Sequence, residues 1–205
     1  MRPSRSSRKW TWRNNPAGGS AKPADPRGPE NSGGRVQTRL VLPDCGPKFA
    51  LVDQPAQLLA QPDAVVLDLT ANSREAALGG LHAALAGSPG VVDAAAFLHA
   101  LRERAMLAPV CIAPDVALPH ARTDAVSRLV LGVARLTAPG VGFDAEHPAV
   151  RLMFMVGTPK PAVEDYLQAV AAITRLLKRD AVRTGLLTAT TEAEFRALLA
   201  RGAKR

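Results

Sequence analysis

The chemistry that this sequence suggests centres on His120, within the stretch V-A-L-P-H-A-R at residues 116–122. An imidazole is mostly neutral near pH 7, so one ring nitrogen keeps a lone pair that can attack an electrophile such as phosphorus. Pro119 fixes the chain direction and is expected to end strand pairing. If the backbone stays extended to Arg122, His120 and Arg122 share a face. The sequence therefore predicts a cation beside a nucleophile.

The elements that must position this histidine follow from periodicity and capping residues. Helices are predicted from short apolar stripes, one opening at a capping box of Asn72 and Glu75, one capped by Asp93, and one opening at Thr191 with Glu194. A helix is also predicted at 55–60 and along 163–177. Strand-like apolar runs lie at 64–69, 116–118, 129–136 and 150–156, and residues 108–115 are predicted as a loop. Helices bracketing strands predict an α/β fold with a mixed sheet.

Charge is unevenly distributed along the 205 residues, which is enough chain for one domain with a substantial core. The net charge is +8, but residues 1–40 hold nine of the 26 basic and two of the 18 acidic residues, so the rest is nearly neutral. We therefore expect no nucleic acid partner for the folded domain. The sequence contains neither a C-x-x-C pair nor a Cys/His cluster, so no zinc site is predicted. No apolar run approaches the ~20 residues of a membrane span. A reduced, cytoplasmic setting is expected.

The first part of the chain differs in composition from the remainder. Residues 1–50 are basic and rich in Pro and Gly, which predicts a disordered tail and linker before a single domain at 51–203. Within the tail, R-K-W-T-W-R at 8–13 interleaves tryptophan with basic side chains, so a nucleic-acid or anionic-surface arm is a further hypothesis. A solvated tail or an over-extended start is the alternative.

Three stretches carry a resemblance to a known family: L-R-E-R at 101–104, V-A-L-P-H-A at 116–121 and F-D-A-E-H-P-A-V-R-L-M-F-M-V-G at 143–157. Together they resemble the IIA component of the fructose/mannitol type (EIIA type-2) of the bacterial sugar phosphotransferase system, which includes the nitrogen-regulatory IIA proteins. The resemblance covers roughly residues 51–203. It implies a mannitol-type IIA fold, a mixed sheet with helices on both faces.

The resemblance also implies roles for residues. In the family, the histidine of the P-H motif accepts a phosphoryl group from an HPr-like phosphocarrier and passes it to a IIB component. That residue is His120, and the phosphate-clamping arginine corresponds to Arg104. A loose phosphoryl transition state needs positioning and positive charge rather than acid chemistry, so neither metal nor cofactor is required. The planar guanidinium of an arginine can donate two parallel hydrogen bonds to the oxygens of the phosphoryl group.

Two positions depart from the family pattern. Residues 108–115 lack the Gly, Ser and Thr donors that often precede the histidine strand, and Tyr166 stands where many relatives have a second histidine. A phenol can hydrogen-bond His120 or a phosphate, but it is not an imidazole. These departures favour, as an alternative to a transport carrier, a regulatory module with little transfer activity that controls partner proteins through its phosphorylation state.

Each candidate also has a structural interpretation. His120 can be a strand-end histidine bonded to backbone, Arg104 a helix C-terminal cation, and Arg122 with Asp124 a solvated turn pair. Cys111 can be a buried apolar residue or a redox thiol. The other histidines are interpreted as structural or surface residues. His82 is expected in the core or at its boundary, His99 on an exposed helix side, and His147 in a surface turn with no second metal ligand nearby in sequence.

Overall fold

The computed structural model describes residues 54–203, in which six helices and six strands form an α/β fold. The predicted tail and linker at 1–50, including the tryptophan-containing stretch, lie outside the described residues, and the 50/51 boundary stays a prediction. In the described part, no helix is both long and apolar enough to cross a membrane. In chain order the elements are α1 (Gln54–Ala60), β1 (Ala64–Leu69), α2 (Arg74–Leu85), α3 (Ala94–Leu107), β2 (Cys111–Ala113), β3 (Val116–Ala117), β4 (His120–Arg122), β5 (Val130–Leu136), β6 (Leu152–Thr158), α4 (Val163–Leu177), α5 (Asp180–Thr188) and α6 (Glu192–Ala203).

The six strands form one mixed sheet, as the sequence predicted. Its order is β1-β5-β6-β3-β2, and β4 continues alongside β6 beyond β3. The pairs β1/β5, β3/β6 and β4/β6 are parallel, whereas β5/β6 and β2/β3 are antiparallel. Strands β5 and β6 are buried along their whole length. Continuous apolar runs of this kind are typical of a central strand covered on both faces.

Helices cover both faces of the sheet, which confirms the expected architecture. On one face, α2 and α3 bury an apolar stripe that includes Leu81 and Phe97. On the other face, α1, α4, α5 and α6 enclose a second cluster that includes Ile173, Leu186 and Phe195. The site strand β4 packs beneath α3.

The predictions of helix caps and loops were confirmed at some positions and were wrong at others. Asp93 caps α3 by accepting the amide of Ala96 at 2.9 Å, as expected. The box of Asn72 and Glu75 is wrong: α2 begins one residue later, with Ser73 as its cap. The prediction that residues 108–115 form a loop is also wrong in part, because β2 pairs there with β3. Pairing with β6 resumes at His120 directly after Pro119, whose carbonyl accepts the amide of Val156.

An ion pair joins β1 to β5, and the same arginine also hydrogen-bonds the second helical face. Arg135 in β5 is buried, and its guanidinium donates two hydrogen bonds from Nη2 and one from Nε to the carboxylate of Asp68. Its Nη1 also donates to the Ala189 carbonyl. Asp68 has a positive φ of 55° where the β1/β5 register shifts. This conformation is uncommon for a non-glycine residue. The carboxylate that pairs with Arg135 therefore comes from an irregular position in β1.

Replacing Asp68 by alanine is expected to lower the free energy of unfolding by about 1–3 kcal/mol, because a buried guanidinium loses its counter-charge. Urea unfolding measures this. Asp124→Ala, which removes an exposed ion pair with Lys160, serves as control and should cost about 1 kcal/mol or less. Equal losses of unfolding free energy in the two variants would contradict the conclusion that Asp68 stabilises the buried Arg135.

Candidate functional site

A cleft of about 490 Å³ brings together all four residues that the sequence nominated. His120 and Arg122 come from β4, Arg104 from α3 and Tyr166 from α4. The backbone is extended from His120 to Arg122, so the two side chains line the same cleft as alternation predicted. The remaining lining residues are Ala100, Glu103, Leu107 and Ala121.

His120 is half-buried, and its protonation geometry favours a nucleophile. Its Nδ1 lies 2.9 Å from the Leu118 carbonyl oxygen, which can only accept, so Nδ1 carries the proton and donates. The lone pair is then on Nε2, for which the described residues provide no hydrogen-bond partner. Burial lowers the pKa of His120 below its ordinary value, and the Arg104 charge lowers it further, against the opposing effect of the Leu118 hydrogen bond. The ring is accordingly neutral at physiological pH.

Arg104 presents an unsatisfied donor beside this ring. It lies in the last turn of α3, and its Nη1 is buried with no hydrogen-bond partner within residues 54–203. Leaving a buried guanidinium donor unpaired is costly, and an anion entering the cleft would satisfy it. The place of Arg104 in the last turn of α3 also fits the alternative prediction, a cation that stabilises the C-terminal end of a helix. One side chain can fill both roles.

A glycine contributes to the close approach of α3 to the site strand. A Cβ on Gly157 would lie 2.7 Å from Phe97 Cζ, closer than real contacts allow. Gly157 pairs with Ala121 across β6 and β4, directly beside His120. Phe97 of α3 therefore packs against bare backbone, and the same helix delivers Arg104 to the cleft.

Arg122 differs from Arg104 in having a backbone partner. Its Nη2 donates to the Lys160 carbonyl at 2.8 Å, and its side chain is exposed. Asp124 pairs with the Lys160 ammonium at 2.7 Å, not with Arg122, so the solvated Arg122–Asp124 pair is wrong. Arg122 thus stands at the exposed rim of the cleft, held to the β6–α4 connection.

Tyr166 packs its ring against the histidine. The ring centroids are 5.2 Å apart and the planes are tilted by 36°. This tilted contact between rings helps to orient the imidazole and does not supply a second nucleophile.

Sequence reasoning missed the apolar part of the lining. Ala100, Arg104 and Leu107 follow the spacing of one helix face, which is the signal that could have assigned them to a common surface. Leu107 and its neighbour Met106 are both more than 80% exposed. The cleft therefore opens beside unburied apolar side chains.

The other histidines and Cys111 were assigned from weaker signals. His82 is buried and donates from Nε2 to the Ala94 carbonyl at 2.8 Å, and His99 is exposed; both were interpreted correctly. Burial, with a contribution from the Asp144 charge, raises the pKa of Cys111 to about 11, which favours the interpretation of Cys111 as a buried apolar residue over that of a redox thiol. The prediction that His147 has no second metal ligand nearby in sequence was wrong, because its Nδ1 lies 2.7 Å from Asp144 Oδ1 and Cys111 is close to both.

Fold and cleft together define an α/β protein with a neutral histidine at a strand end, facing arginine side chains. Residues 58–202 match the model of the family described as "Phosphoenolpyruvate-dependent sugar phosphotransferase system, EIIA 2". The chain belongs to this family.

Curated relatives fall into two groups. A PTS system fructose-specific EIIA component from Haloferax volcanii is 39% identical over 112 residues, covering 54% of this chain and 71% of that protein. A nitrogen regulatory protein from Bradyrhizobium diazoefficiens is 32% identical over 125 residues, covering 60% of this chain and 80% of that protein. The two relatives carry different roles in their names.

Solved structures agree on the fold. The complex of enzyme IIAMTL and phosphorylated enzyme IIBMTL from Escherichia coli contains a chain that superimposes with a TM-score of 0.60, at 21% identity, covering 69% of this chain and 96% of that one. At this identity the likeness establishes the mannitol-type α/β architecture.

Proposed function

We propose that this protein is a cytoplasmic phosphoryl carrier of the phosphoenolpyruvate-dependent sugar phosphotransferase system. His120 accepts a phosphoryl group from an HPr-like phosphocarrier and passes it to a IIB component. The observation that carries the proposal is the pairing of a neutral His120, with Nε2 free to attack, and the unpartnered Nη1 of Arg104 in one cleft.

The transfer balances without an external acid or base. Nε2 of His120 forms the new P–N bond while the P–N bond to the donor imidazole breaks, and the donor ring leaves with its electron pair. The His120 ring gains positive charge, which its Nδ1–H hydrogen bond to the Leu118 carbonyl stabilises. Arg104 stabilises charge spread over the three phosphoryl oxygens.

Incubation of the full chain with phosphoenolpyruvate, enzyme I and an HPr-like carrier tests the proposal. We expect one phosphoryl group per chain, labile in acid and stable in alkali, and located at residue 120 by peptide mass spectrometry. Absence of incorporation, or incorporation elsewhere, would reject the assignment.

The lowered pKa of His120 predicts a specific pH profile. Because burial and the Arg104 charge both disfavour the protonated ring, we expect NMR titration to give His120 a pKa below about 6.5. Phosphoryl acceptance should hold through neutral pH and be lost only as the pH falls through this lowered value. In Arg104→Gln the pKa of His120 should rise, since a nearby positive charge is removed. An unchanged His120 titration in that variant would refute the electrostatic contact.

A regulatory role is a second candidate, favoured by the similarity to the nitrogen regulatory protein and by Tyr166 in the cleft. In that case the phosphorylation state controls a partner protein, and onward transfer is slow. Mixing the phosphorylated chain with a fructose- or mannitol-type IIB component distinguishes the two. Rapid loss of label to IIB supports the transport carrier, whereas retention of the label supports the regulator.

A further inference from the structure

A second cluster of reactive side chains is formed by Cys111, Asp144 and His147. Each residue offers one ligand atom, and the thiol sulfur, the imidazole nitrogen and the carboxylate oxygen all lie within 4.8 Å of one another. None of the three lines the His120 cleft. The cluster joins two segments distant in sequence, the edge strand β2 and the β5–β6 connection.

The backbone holds these two segments together independently of the side chains. The carbonyl of Asp115, in the β2–β3 turn, accepts the amides of Arg151 and Leu152 at 2.8 and 2.9 Å. The β5–β6 connection is closed by an antiparallel bridge between Val141 and Val150. The positions of the ligand atoms therefore depend on hydrogen-bonded backbone on both sides.

The side chains within the connection are also oriented. Asp144 Oδ1 accepts the amides of Glu146 and His147 and lies 2.7 Å from His147 Nδ1. His147 is only 18% exposed, and Cys111 is half-buried and free of disulfide bonding. Little conformational entropy is left to lose when a ligand binds to such a set.

We propose that Cys111, Asp144 and His147 form a Zn²⁺ site. Sulfur, nitrogen and oxygen donors together suit this ion, whose bonds of roughly 2.0–2.3 Å place tetrahedral ligand atoms somewhat under 4 Å apart. The ligand atoms lie within 4.8 Å of one another, so small side-chain rotations bring them to that spacing. On binding, the S–H bond of Cys111 breaks, its proton leaves to solvent and a Zn–S bond forms. His147 binds through an unprotonated ring nitrogen while its other nitrogen keeps the proton, a carboxylate oxygen of Asp144 is the third ligand, and water completes the tetrahedron.

The ion would link β2, at the sheet edge, to the β5–β6 connection. A ligand that binds only the folded state raises its stability by mass action. With Zn²⁺ about a hundredfold above Kd, the unfolding midpoint should rise by roughly 5–10 °C. The site would then stabilise the folded state only when Zn²⁺ is bound.

Calorimetric titration of the reduced full chain with Zn²⁺ tests the site. We expect 1:1 binding, weakened at least about tenfold in Cys111→Ser, His147→Gln and Asp144→Asn. Asparagine at 144 keeps an oxygen to accept the two amides, so this variant decides the question if the others fail to fold. The matched control His99→Gln, which changes an exposed histidine outside the cluster, should bind as the wild type does.

Binding of Co²⁺ provides an independent readout, because a thiolate ligand gives a charge-transfer band that Cys111→Ser should lose. Absence of 1:1 Zn²⁺ binding by the wild type would overturn the proposal, as would wild-type affinity in His147→Gln. A His120→Asn variant should bind Zn²⁺ normally, so failure of the metal site and failure of the phosphoryl carrier are separable.

Discussion

Replacing His120 by asparagine is expected to reduce phosphoryl incorporation from the HPr-like donor by about 10³-fold or more, to background. The substitution removes the Nε2 lone pair, and loss of a covalent nucleophile leaves no parallel route. Asparagine retains an amide N–H that can donate to the Leu118 carbonyl, which Nδ1 satisfies in the wild type. Rapid-quench measurement of acid-labile label, under identical donor concentrations, gives the rate.

The matched control is His99→Asn, which changes an exposed histidine outside the cleft in the same way. It should be phosphorylated at the wild-type rate. Far-ultraviolet circular dichroism and urea unfolding should place both variants close to the wild type. If His120→Asn still incorporates label at an appreciable rate, the acceptor is another residue and the proposed chemistry is wrong.

Much of the fold was predictable because its signals are local. The apolar spacing of each helix predicts its buried face, the continuous apolar runs of β5 and β6 predict central strands, and Asp93 marks the beginning of α3. The signal is ambiguous where two capping residues are adjacent: Asn72 and Ser73 are both good caps, and only the three-dimensional path of the chain selects Ser73. The short strand β2 depends on pairing with β3, which no single stretch reveals.

The candidate site was predictable in part for the same reason. His120 and Arg122 are two residues apart in one strand, so local alternation places them together. Arg104 reaches the cleft because α3 packs on β4, with Phe97 lying against Gly157 of the neighbouring strand β6. The cleft assignment of Arg104 and Tyr166 came from the family resemblance, since spacing alone does not bring α3 and α4 to β4.

Contacts between distant segments were not predictable from the sequence. The buried pair of Arg135 and Asp68 is one example, and the approach of Cys111 to His147 is another. In each case one partner looks unremarkable in its own stretch, a charged residue in a strand or a histidine in a turn. Chemistry of this kind becomes visible only when sheet topology brings the segments together.

Replacing Arg104 by glutamine is expected to slow phosphorylation of His120 by about 10²- to 10³-fold, equivalent to roughly 2.7–4 kcal/mol of transition-state stabilisation. The Nη1 atom of Arg104 is a buried donor without a partner in the described residues, so Nη1 can donate to the phosphoryl oxygens without breaking another hydrogen bond. Glutamine keeps an apolar stem and a donor but loses the charge and the fork. Rapid-quench rates from the phosphorylated HPr-like donor measure the effect.

Arg102→Gln is the control, because Arg102 lies on the same helix but pairs with Glu75 and does not line the cleft. Its phosphorylation rate should stay within about twofold of the wild type. Arg104→Lys should recover only part of the lost rate, since an ammonium restores the charge without the bidentate geometry. A wild-type rate in Arg104→Gln, with a large loss in Arg122→Gln, would instead assign the phosphate contact to the exposed arginine at the rim. Because Arg122 is already bonded to the Lys160 carbonyl and Arg104 is not, we expect the larger loss at Arg104.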